Sequence, residues 1–203
     1  LGSHNILGPK DGKPIVTPGQ DMVMGNFYLT MEETAEEFHD EAQRYLSVDC
    51  PKSAAMWQRY GDNEGHVFGS INEILMAYET DQIHLHSRIA IPARALNKTS
   101  FTDEQQKQYL LTTVGKVIFN NMFPSDFPFL NEVSAANFQA TPEKYFLDMG
   151  KDVKEAIRNL PVTPAFKKKD LGKIIGEIFK RYSTEKTSEI LDQIKDMGFK
   201  YST

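Results

Sequence analysis

The side chains best suited to bind a metal ion are two histidines, His84 and His86, with one residue between them. In a β-strand, side chains two positions apart share a face, so both imidazoles could reach one zinc ion. No third histidine or cysteine ligand stands near them, and paired polar residues are ordinary on the wet side of a half-buried strand. The sequence therefore favours an exposed pair without a metal, and a small zinc hydrolase is the weakest functional hypothesis.

Other catalytic signatures are absent from the 203 residues. No G-x-S-x-G motif occurs, and the single cysteine, Cys50, precedes a proline, so neither a serine nor a cysteine nucleophile can be assembled. The phosphate-binding motifs G-x-x-x-x-G-K-S/T and G-x-G-x-x-G are both missing. The carboxylates are numerous but lack the clustered aspartates that would hold a catalytic pair of magnesium ions. We therefore expect no hydrolysis by this chain alone.

The charged residues fall into an acidic and a basic segment. The net charge of −5 argues against a nonspecific duplex-DNA binder, because such proteins carry a basic surplus. We interpret the acidic residues within 32–43 and a basic cluster near the C-terminus as solvated faces. The basic cluster consists of Lys167, Lys168, Lys169, Lys173, Lys180 and Arg181. The lone cysteine fits a reducing compartment, and no apolar run approaches the roughly 20 residues that span a bilayer.

The first 31 residues predict a turn followed by a capped helix. The prolines and glycine within residues 9–14 are typical of a tight turn. Thr17 can accept a hydrogen bond from the backbone N–H of Gln20, and Pro18 then occupies the first helical position, where its missing N–H costs nothing. Gln20 and Asp21 form the polar end of the helix, where we expect function to reside. Apolar residues at helical spacing predict one buried face, formed by Val23, Met24, Phe27, Tyr28 and Met31.

The central residues predict a small antiparallel sheet that follows an acidic excursion. Residues 32–66 resemble two short helices closed by turn residues, and we interpret them as an insertion. A capping box at Ser70 and Glu73 predicts a two-turn helix. The alternation from Ile83 to Ile91 predicts a strand with one buried face, and residues 107–113 can return as its antiparallel partner.

Two consecutive helices at the C-terminus give the clearest helical pattern in the chain. The first carries apolar residues at helical spacing, namely Leu171, Ile174, Ile175, Ile178, Phe179 and Tyr182. Ser183 or Thr184 can cap the second, and Gly198 stands where a left-handed residue commonly ends a helix. Together the patterns predict an α+β fold: an N-terminal turn and capped helix, a small antiparallel sheet and a C-terminal helical hairpin.

Several runs of residues closely resemble the β′ subunit of bacterial DNA-dependent RNA polymerase. These runs are Asn5 to Leu7, Gly12 to Val16, Thr17 to Asp21, Gly25 to Thr30, His84 to Ile89 and Thr112 to Asn120. The likeness extends to the C-terminal hairpin and looks closest to the low-GC Gram-positive branch. Residues 32–66 and part of 134–165 depart from the usual pattern.

The resemblance implies that the chain comprises the pore region and the start of the funnel, which line the secondary channel of that enzyme. Residues 1–31 and 67–165 would form a pore-domain-like α+β region, 32–66 a variable acidic insertion, and 166–203 a helical hairpin leading into the funnel. The implied partners are the other polymerase subunits, DNA and RNA through the whole enzyme, and nucleotide substrates and transcript-cleavage factors in the channel. The resemblance also implies a cytoplasmic, nucleoid-associated location and no membrane.

The chemistry implied by the resemblance is nucleotidyl transfer with magnesium. In the family a loop with three aspartates holds the metal, and it is expected upstream of Leu1. On this basis the chain contributes neither a catalytic residue nor a metal ligand. The isolated chain is therefore expected to be inactive.

Individual site residues follow from the resemblance as well. Gln20 and Asp21 match the family's Q-D and are expected to line the channel. Lys116 is assigned the same role, although it replaces the usual arginine of T-V-G-R and loses the planar fork of that side chain. Thr17, Pro18 and Gly115 are expected to be structural, and Gly19 stands where the family commonly has serine. Gly115 is interpreted as a backbone requirement and not as a ligand.

One further class of function stays open beside the polymerase and zinc-hydrolase hypotheses. The acidic excursion and the basic helix could be docking surfaces of a stand-alone interaction module without catalysis. The codons upstream of Leu1 distinguish this module from a polymerase segment, because only the latter requires an aspartate loop before this chain. The zinc hydrolase would require stoichiometric zinc in the purified protein.

Overall fold

The computed structural model describes residues 18–202, which form helices around a small three-stranded sheet. The helices are α1 (Gln20–Leu29), α2 (Ala35–Ser47), α3 (Pro51–Asp62), α4 (Ile71–Glu79), α5 (Val114–Asn120), α6 (Ala135–Gln139), α7 (Val153–Arg158), α8 (Lys168–Arg181) and α9 (Thr184–Ser202). The strands are β1 (Arg88–Pro92), β2 (Gln108–Thr113) and β3 (Phe146–Asp148). The predicted α+β class is confirmed.

Polar side chains fix the starts of several helices. Thr34 and Glu37 form a reciprocal capping box before α2, with N–H to side-chain oxygen distances of 3.1 and 3.2 Å. Ser70 accepts from the backbone N–H of Glu73, as predicted, and α4 follows. Ser183 accepts from the backbone N–H of Lys186 at the start of α9. Local sequence thus determines where these helices begin.

The sheet has the order β1-β2-β3 and is antiparallel throughout. Arg88 pairs with Thr113 and Pro92 with Tyr109, which confirms the predicted partner strand. The prediction of a long strand from Ile83 with one wet face is wrong. Residues 83–87 form a turn, and all five residues of β1 are buried.

Helix α7 is the reason that no face of β1 meets solvent. Its Val153 and Ile157 pack against Ala90 and Leu111 on the side of the sheet that alternation had assigned to water. The Arg88 guanidinium lies beneath this helix and donates to the carbonyl oxygens of Ile157 and Leu160, at 2.5 and 2.7 Å. A cation at the carboxyl end of a helix is favoured by the helix dipole. The alternating pattern therefore marks two buried faces.

Helix α1 buries largely a different face from the one predicted. Met22, Gly25, Asn26 and Leu29 are buried. Of the expected core residues, Met24, Phe27 and Tyr28 are 51%, 38% and 41% exposed. The other two, Val23 and Met31, are partly buried, and Val23 packs against the core. The cause is α9, which runs antiparallel along α1 with Gly198 beside Met22 and Gly25. Small residues allow this close approach, and periodicity alone does not reveal them.

Two further predictions about helix ends are wrong. Gly198 does not end a helix, since it lies inside α9 and packs against α1. Pro18 is not the first helical residue, because α1 begins at Gln20 with Gly19 as its N-cap. The proposed cap residue Thr17 and the predicted N-terminal turn lie outside the described residues. In the predicted C-terminal hairpin, α9 follows α8 directly, but its main packing partner is α1.

One continuous hydrophobic core joins α1, α4, α5, α8, α9 and the sheet. It contains fully buried aromatic residues from different parts of the chain, among them Phe119, Phe127, Phe129 and Phe166. The described residues therefore contain a core of their own. None of the helices between residues 18 and 202 has the length and apolar character needed to cross a membrane.

We predict that Gly25→Ala destabilises the chain by at least about 3 kcal/mol. A Cβ atom at this position would lie 1.7 Å from the carbonyl oxygen of Gly198, so α1 and α9 would have to separate. Gly172→Ala is the matched control, because position 172 is also helical and has nothing within 4 Å of a new Cβ. That change should stabilise α8 by up to about 1 kcal/mol. Urea unfolding of both variants measures the difference, and similar midpoints would contradict the proposed contact.

Candidate functional site

The polar start of α1 is the candidate site predicted from the sequence. Gln20 and Asp21 are both exposed there, and Asp21 lies in the first turn. Gly19 provides no side-chain cap, and nothing lies within 4 Å of where its Cβ would be. The helix thus presents an amide side chain, a carboxylate and its own N-terminal N–H groups to the surroundings. Such an end can bind or orient a polar ligand, but it contains no nucleophile.

The far end of α1 is held by buried hydrogen bonds, which fix the position of the polar start. The Asn26 amide donates to the carbonyl oxygens of Met22 and Ile194, at 2.9 and 3.1 Å. The Thr30 hydroxyl donates to the Asn26 carbonyl oxygen at 2.8 Å and accepts from the Phe166 N–H at 2.9 Å. These bonds connect α1 to α9 and to the segment before α8. The site therefore rests on a rigid element.

Lys116 does not line a surface, so its predicted channel-facing role is corrected. Its side chain is fully buried, and its Nζ lies 2.6 Å from Oε2 of Glu32 and 2.7 Å from the Asn131 carbonyl oxygen. The other oxygen of Glu32 accepts from the Thr163 N–H at 3.1 Å. Burial lowers the pKa of Lys116, and the Glu32 carboxylate opposes this shift. The pair is an internal ion pair that ties the segment after α1 to α5.

Gly115 precedes this lysine at a point where two backbones meet. A Cβ atom there would lie 1.8 Å from the Leu29 carbonyl oxygen, which only glycine avoids. The Gly115 N–H donates to the Leu85 carbonyl oxygen at 2.8 Å. Gly115 therefore has a structural role at the junction of α1, α5 and the turn before β1.

The two histidines of the metal hypothesis belong to a buried network beside α1. His86 places Nε2 2.6 Å from the Tyr28 carbonyl oxygen and Nδ1 2.7 Å from Oε2 of Glu33. The hydrogen bond from His86 lowers the pKa of Glu33. The His86 backbone N–H donates to Nδ1 of His84 at 2.9 Å. Glu33 was not predicted as a partner of the histidines, because it lies 51 and 53 positions from them in the chain and no local motif connects them.

His84 is enclosed by aromatic rings of the acidic excursion. The rings of Phe38, Trp57 and Tyr60 have centroids 5.3 to 5.4 Å from its own. Burial, with a smaller contribution from the neighbouring His86, lowers the pKa of His84 to about 4, and Glu33 partly opposes this shift. The ring is therefore neutral at physiological pH. His84 packs α2 and α3 against the turn before β1.

The ligand atoms of Glu33, His84 and His86 lie within 4.8 Å of one another, so their spacing alone would allow a metal ion. However, both ring nitrogens of His86 already face acceptors, and Nδ1 of His84 already accepts a hydrogen bond. A metal ion would have to replace bonds that hold α1 to the turn. The arrangement is better described as a satisfied structural network.

The basic cluster near α8 is partly paired. Lys180 and Arg181 form ion pairs with Glu177 at 3.4 and 3.3 Å. Lys169 and Lys173 line an open cleft of about 500 Å³ together with other residues, including Tyr145. This arrangement agrees with a mostly solvated basic face.

Comparison with known proteins identifies the family of this chain. The sequence model of RNA polymerase Rpb1, domain 3, matches residues 5–203. The chain belongs to this family. The DNA-directed RNA polymerase subunit beta' of Geobacillus kaustophilus (strain HTA426) is 48% identical over 204 residues, which cover 100% of this chain and 15% of that protein. The subunits of Bacillus licheniformis and Streptococcus pneumoniae (strain Hungary19A-6) are 46% and 47% identical, again over the whole chain and 15% and 14% of their own length.

The comparisons confirm the resemblance to the bacterial β′ subunit and to its low-GC Gram-positive branch. The Rpb1 domain 3 chain spans only about 15% of the length of these relatives. The division of the chain at residues 32 and 66 stays a prediction. Both ends of that segment are tied to the body, since Glu32 pairs with Lys116 and Glu64 lies 3.7 Å from Nε of Arg88.

We predict that Glu32→Ala destabilises this Rpb1 domain 3 chain by about 3 to 5 kcal/mol, because it leaves the Lys116 ammonium buried without its anion. The double variant Glu32→Gln, Lys116→Met removes both charges and should recover most of the loss. Removal of the exposed pair Lys186 and Glu189, 3.6 Å apart, is the matched control and should cost no more than about 1 kcal/mol. Guanidinium unfolding measures all three. If the single and double variants were equally destabilised, the buried charge would not be the cause.

We predict that His84 makes the stability of the chain depend on pH. Its pKa is about 4 in the folded chain and 6.5 as the ordinary value, so between these values the unfolded chain binds more protons. The stability from the neutral ring is complete above pH 6.5 and decreases by about 2 kcal/mol by pH 5.

The variant His84→Asn tests this dependence, because an amide oxygen can still accept from the His86 N–H but does not titrate. Its free energy of unfolding should be lower at pH 7.5 but should change less between pH 7.5 and pH 5 than in the parent chain. The exposed His66 provides the matched control variant His66→Asn. Equal slopes in the His84→Asn variant and the parent would contradict the prediction.

Proposed function

We propose that the chain is part of the β′ subunit of a bacterial DNA-directed RNA polymerase and that the start of α1 lines the channel through which nucleotides reach the active site. The family match over residues 5–203 carries the first part. The exposure of Gln20 and Asp21 on a rigidly held helix supports the second. In this role the chain shapes and lines a path and leaves the chemistry to residues outside it.

The chemistry of the whole enzyme would be template-directed nucleotidyl transfer, in which magnesium stabilises the developing charges. Residues 18–202 do not fit a magnesium site. Magnesium prefers oxygen ligands in octahedral geometry, whereas the one group of potential ligands among residues 18–202 contains two histidines with engaged nitrogens. We therefore assign no catalytic step to this chain. Its contribution to the reaction is the position and charge of the channel wall.

The proposed partners are the other polymerase subunits, with DNA and RNA bound by the whole enzyme. Nucleotides and transcript-cleavage factors would use the channel, and the location would be the cytoplasm at the nucleoid. The exposed apolar face of α1 supports membership in a larger assembly, because Met24, Phe27 and Tyr28 lie side by side on one helix. A stand-alone acidic module would not require this face.

We predict opposite effects for two substitutions in the assembled polymerase. Gln20→Ala removes a hydrogen-bonding side chain and should raise the apparent KM for nucleotides by up to about fivefold. Asp21→Asn removes a carboxylate that repels an anionic nucleotide and should lower the apparent KM by up to about threefold, less at high salt. Promoter binding should be unchanged in both variants. Elongation rates at limiting nucleotide, with and without added salt, provide the measurement.

Glu185→Gln is the matched control for the charge change. Position 185 is exposed near the start of α9, whereas Gly198, further along the same helix, packs on α1. Positions 185 and 198 are thirteen residues apart along the helix, which corresponds to about 20 Å. The isolated chain is the negative control and should incorporate no nucleotide. If Gln20→Ala and Asp21→Asn both left elongation at limiting nucleotide unchanged, the channel-lining role would be refuted.

A further inference from the structure

A small pocket of about 190 Å³ lies away from the start of α1, between α4, α5 and the chain after β1. Its lining includes the apolar residues Val117, Phe123 and Phe129. It also includes polar residues, among them Lys98. The asparagine before it, Asn97, adopts a left-handed conformation with φ 54° and ends the short 3-10 helix at residues 93–96. The pocket is therefore amphipathic.

Lys98 is a buried lysine whose ammonium group donates few of the hydrogen bonds it could make. The residue is only 4% exposed, and its Nζ makes one hydrogen bond, 3.1 Å to the Pro124 carbonyl oxygen. An ammonium group has three donors, so two of them have no hydrogen-bond partner among residues 18–202. Lys116, the other buried lysine among residues 18–202, has a carboxylate 2.6 Å away. Within the same described residues, Lys98 has no carboxylate oxygen within 4 Å.

The surroundings of Lys98 contain neutral hydrogen-bonding groups but little negative charge. The neutral polar residues Asn97, Asn121 and Ser125 also line the pocket. The nearest acidic influence is Asp126, whose carboxylate accepts from the Tyr182 hydroxyl at 3.0 Å. Burial lowers the pKa of Lys98 to about 8, and Asp126 only partly opposes this shift. A buried cation that lacks a compensating anion is costly unless a ligand supplies one.

We propose that this pocket binds a small monocarboxylate, with the carboxylate on Lys98 and a short hydrocarbon group against Val117, Phe123 and Phe129. A single ammonium group flanked by neutral donors matches a single negative charge. A phosphate dianion would require a second cation, and no other lysine or arginine among residues 18–202 lines the pocket. The apolar lining favours a ligand with a few carbon atoms over an inorganic anion.

The test uses butyrate as the probe and the purified 203-residue chain, which contains its own core. Saturation-transfer NMR and calorimetry should give saturable binding with a Kd of about 1 to 10 mM, the range for a ligand of this size. Neutral 1-butanol and inorganic phosphate should bind at least about tenfold more weakly. Absence of saturable butyrate binding up to about 50 mM would overturn the proposal. Equal affinity for butyrate and 1-butanol would also overturn it, because the charge would then contribute nothing.

Variants at position 98 locate the site. Lys98→Gln removes the charge but can still donate to the Pro124 carbonyl oxygen, and it should weaken butyrate binding by at least about tenfold. Lys98→Arg retains the charge and should bind within about fivefold of the parent. Lys107→Gln, at an exposed position, is the matched control and should bind as the parent does. Circular dichroism and thermal unfolding verify the fold of each variant. Unchanged butyrate affinity in folded Lys98→Gln protein would refute the assignment.

Discussion

The close approach of α1 to its neighbours is the constraint on which the rest of the structure depends. At Gly25 and Gly198 the backbones of α1 and α9 touch, and at Gly115 the start of α5 touches the end of α1. A methyl group at any of these positions would overlap a backbone atom. Because these contacts are between backbones, they fix the helix axes more firmly than side-chain packing would. These backbone contacts therefore determine the position of the exposed polar start of α1.

The residues that follow α1 carry negative charge into the interior and reinforce this arrangement. Glu32 reaches Lys116 in α5, and the next residue, Glu33, reaches His86 in the turn before β1. Both carboxylates come from a segment whose composition suggests a solvated surface. Ion pairs and hydrogen bonds with their partners offset the free-energy cost of burying the two carboxylates. Glu32 and Glu33 thus hold the first residues of the acidic excursion to the rest of the chain.

Sequence patterns predicted the elements whose signals are local. The capped helix at Ser70, the antiparallel pairing of β1 with β2, and the apolar face of α8 all follow from residues close together in the chain. The errors concern contacts between distant residues. Helix α9, which packs against α1, lies about 170 positions away in the chain. Hydrophobic periodicity shows where apolar residues recur in α1 but not which face of α1 contacts α9. Lys116 was misplaced for the same reason, because its acidic partner is 84 residues distant.

The wrongly predicted face of α1 is itself informative about the site. One face of α1 packs against α9, and a second face carries an exposed apolar stripe. Residues 18–202 bury only the first of these two faces. The chain spans about 15% of the length of its relatives, and under the proposed function the rest of such a subunit would be available to cover the second. Under the proposed function, Met24, Phe27 and Tyr28 would pack against that remainder, while Gln20 and Asp21, at the tip of the same helix, would stay in contact with solvent. The same helix would then combine a buried stripe with a polar end, which is the arrangement that a channel wall requires.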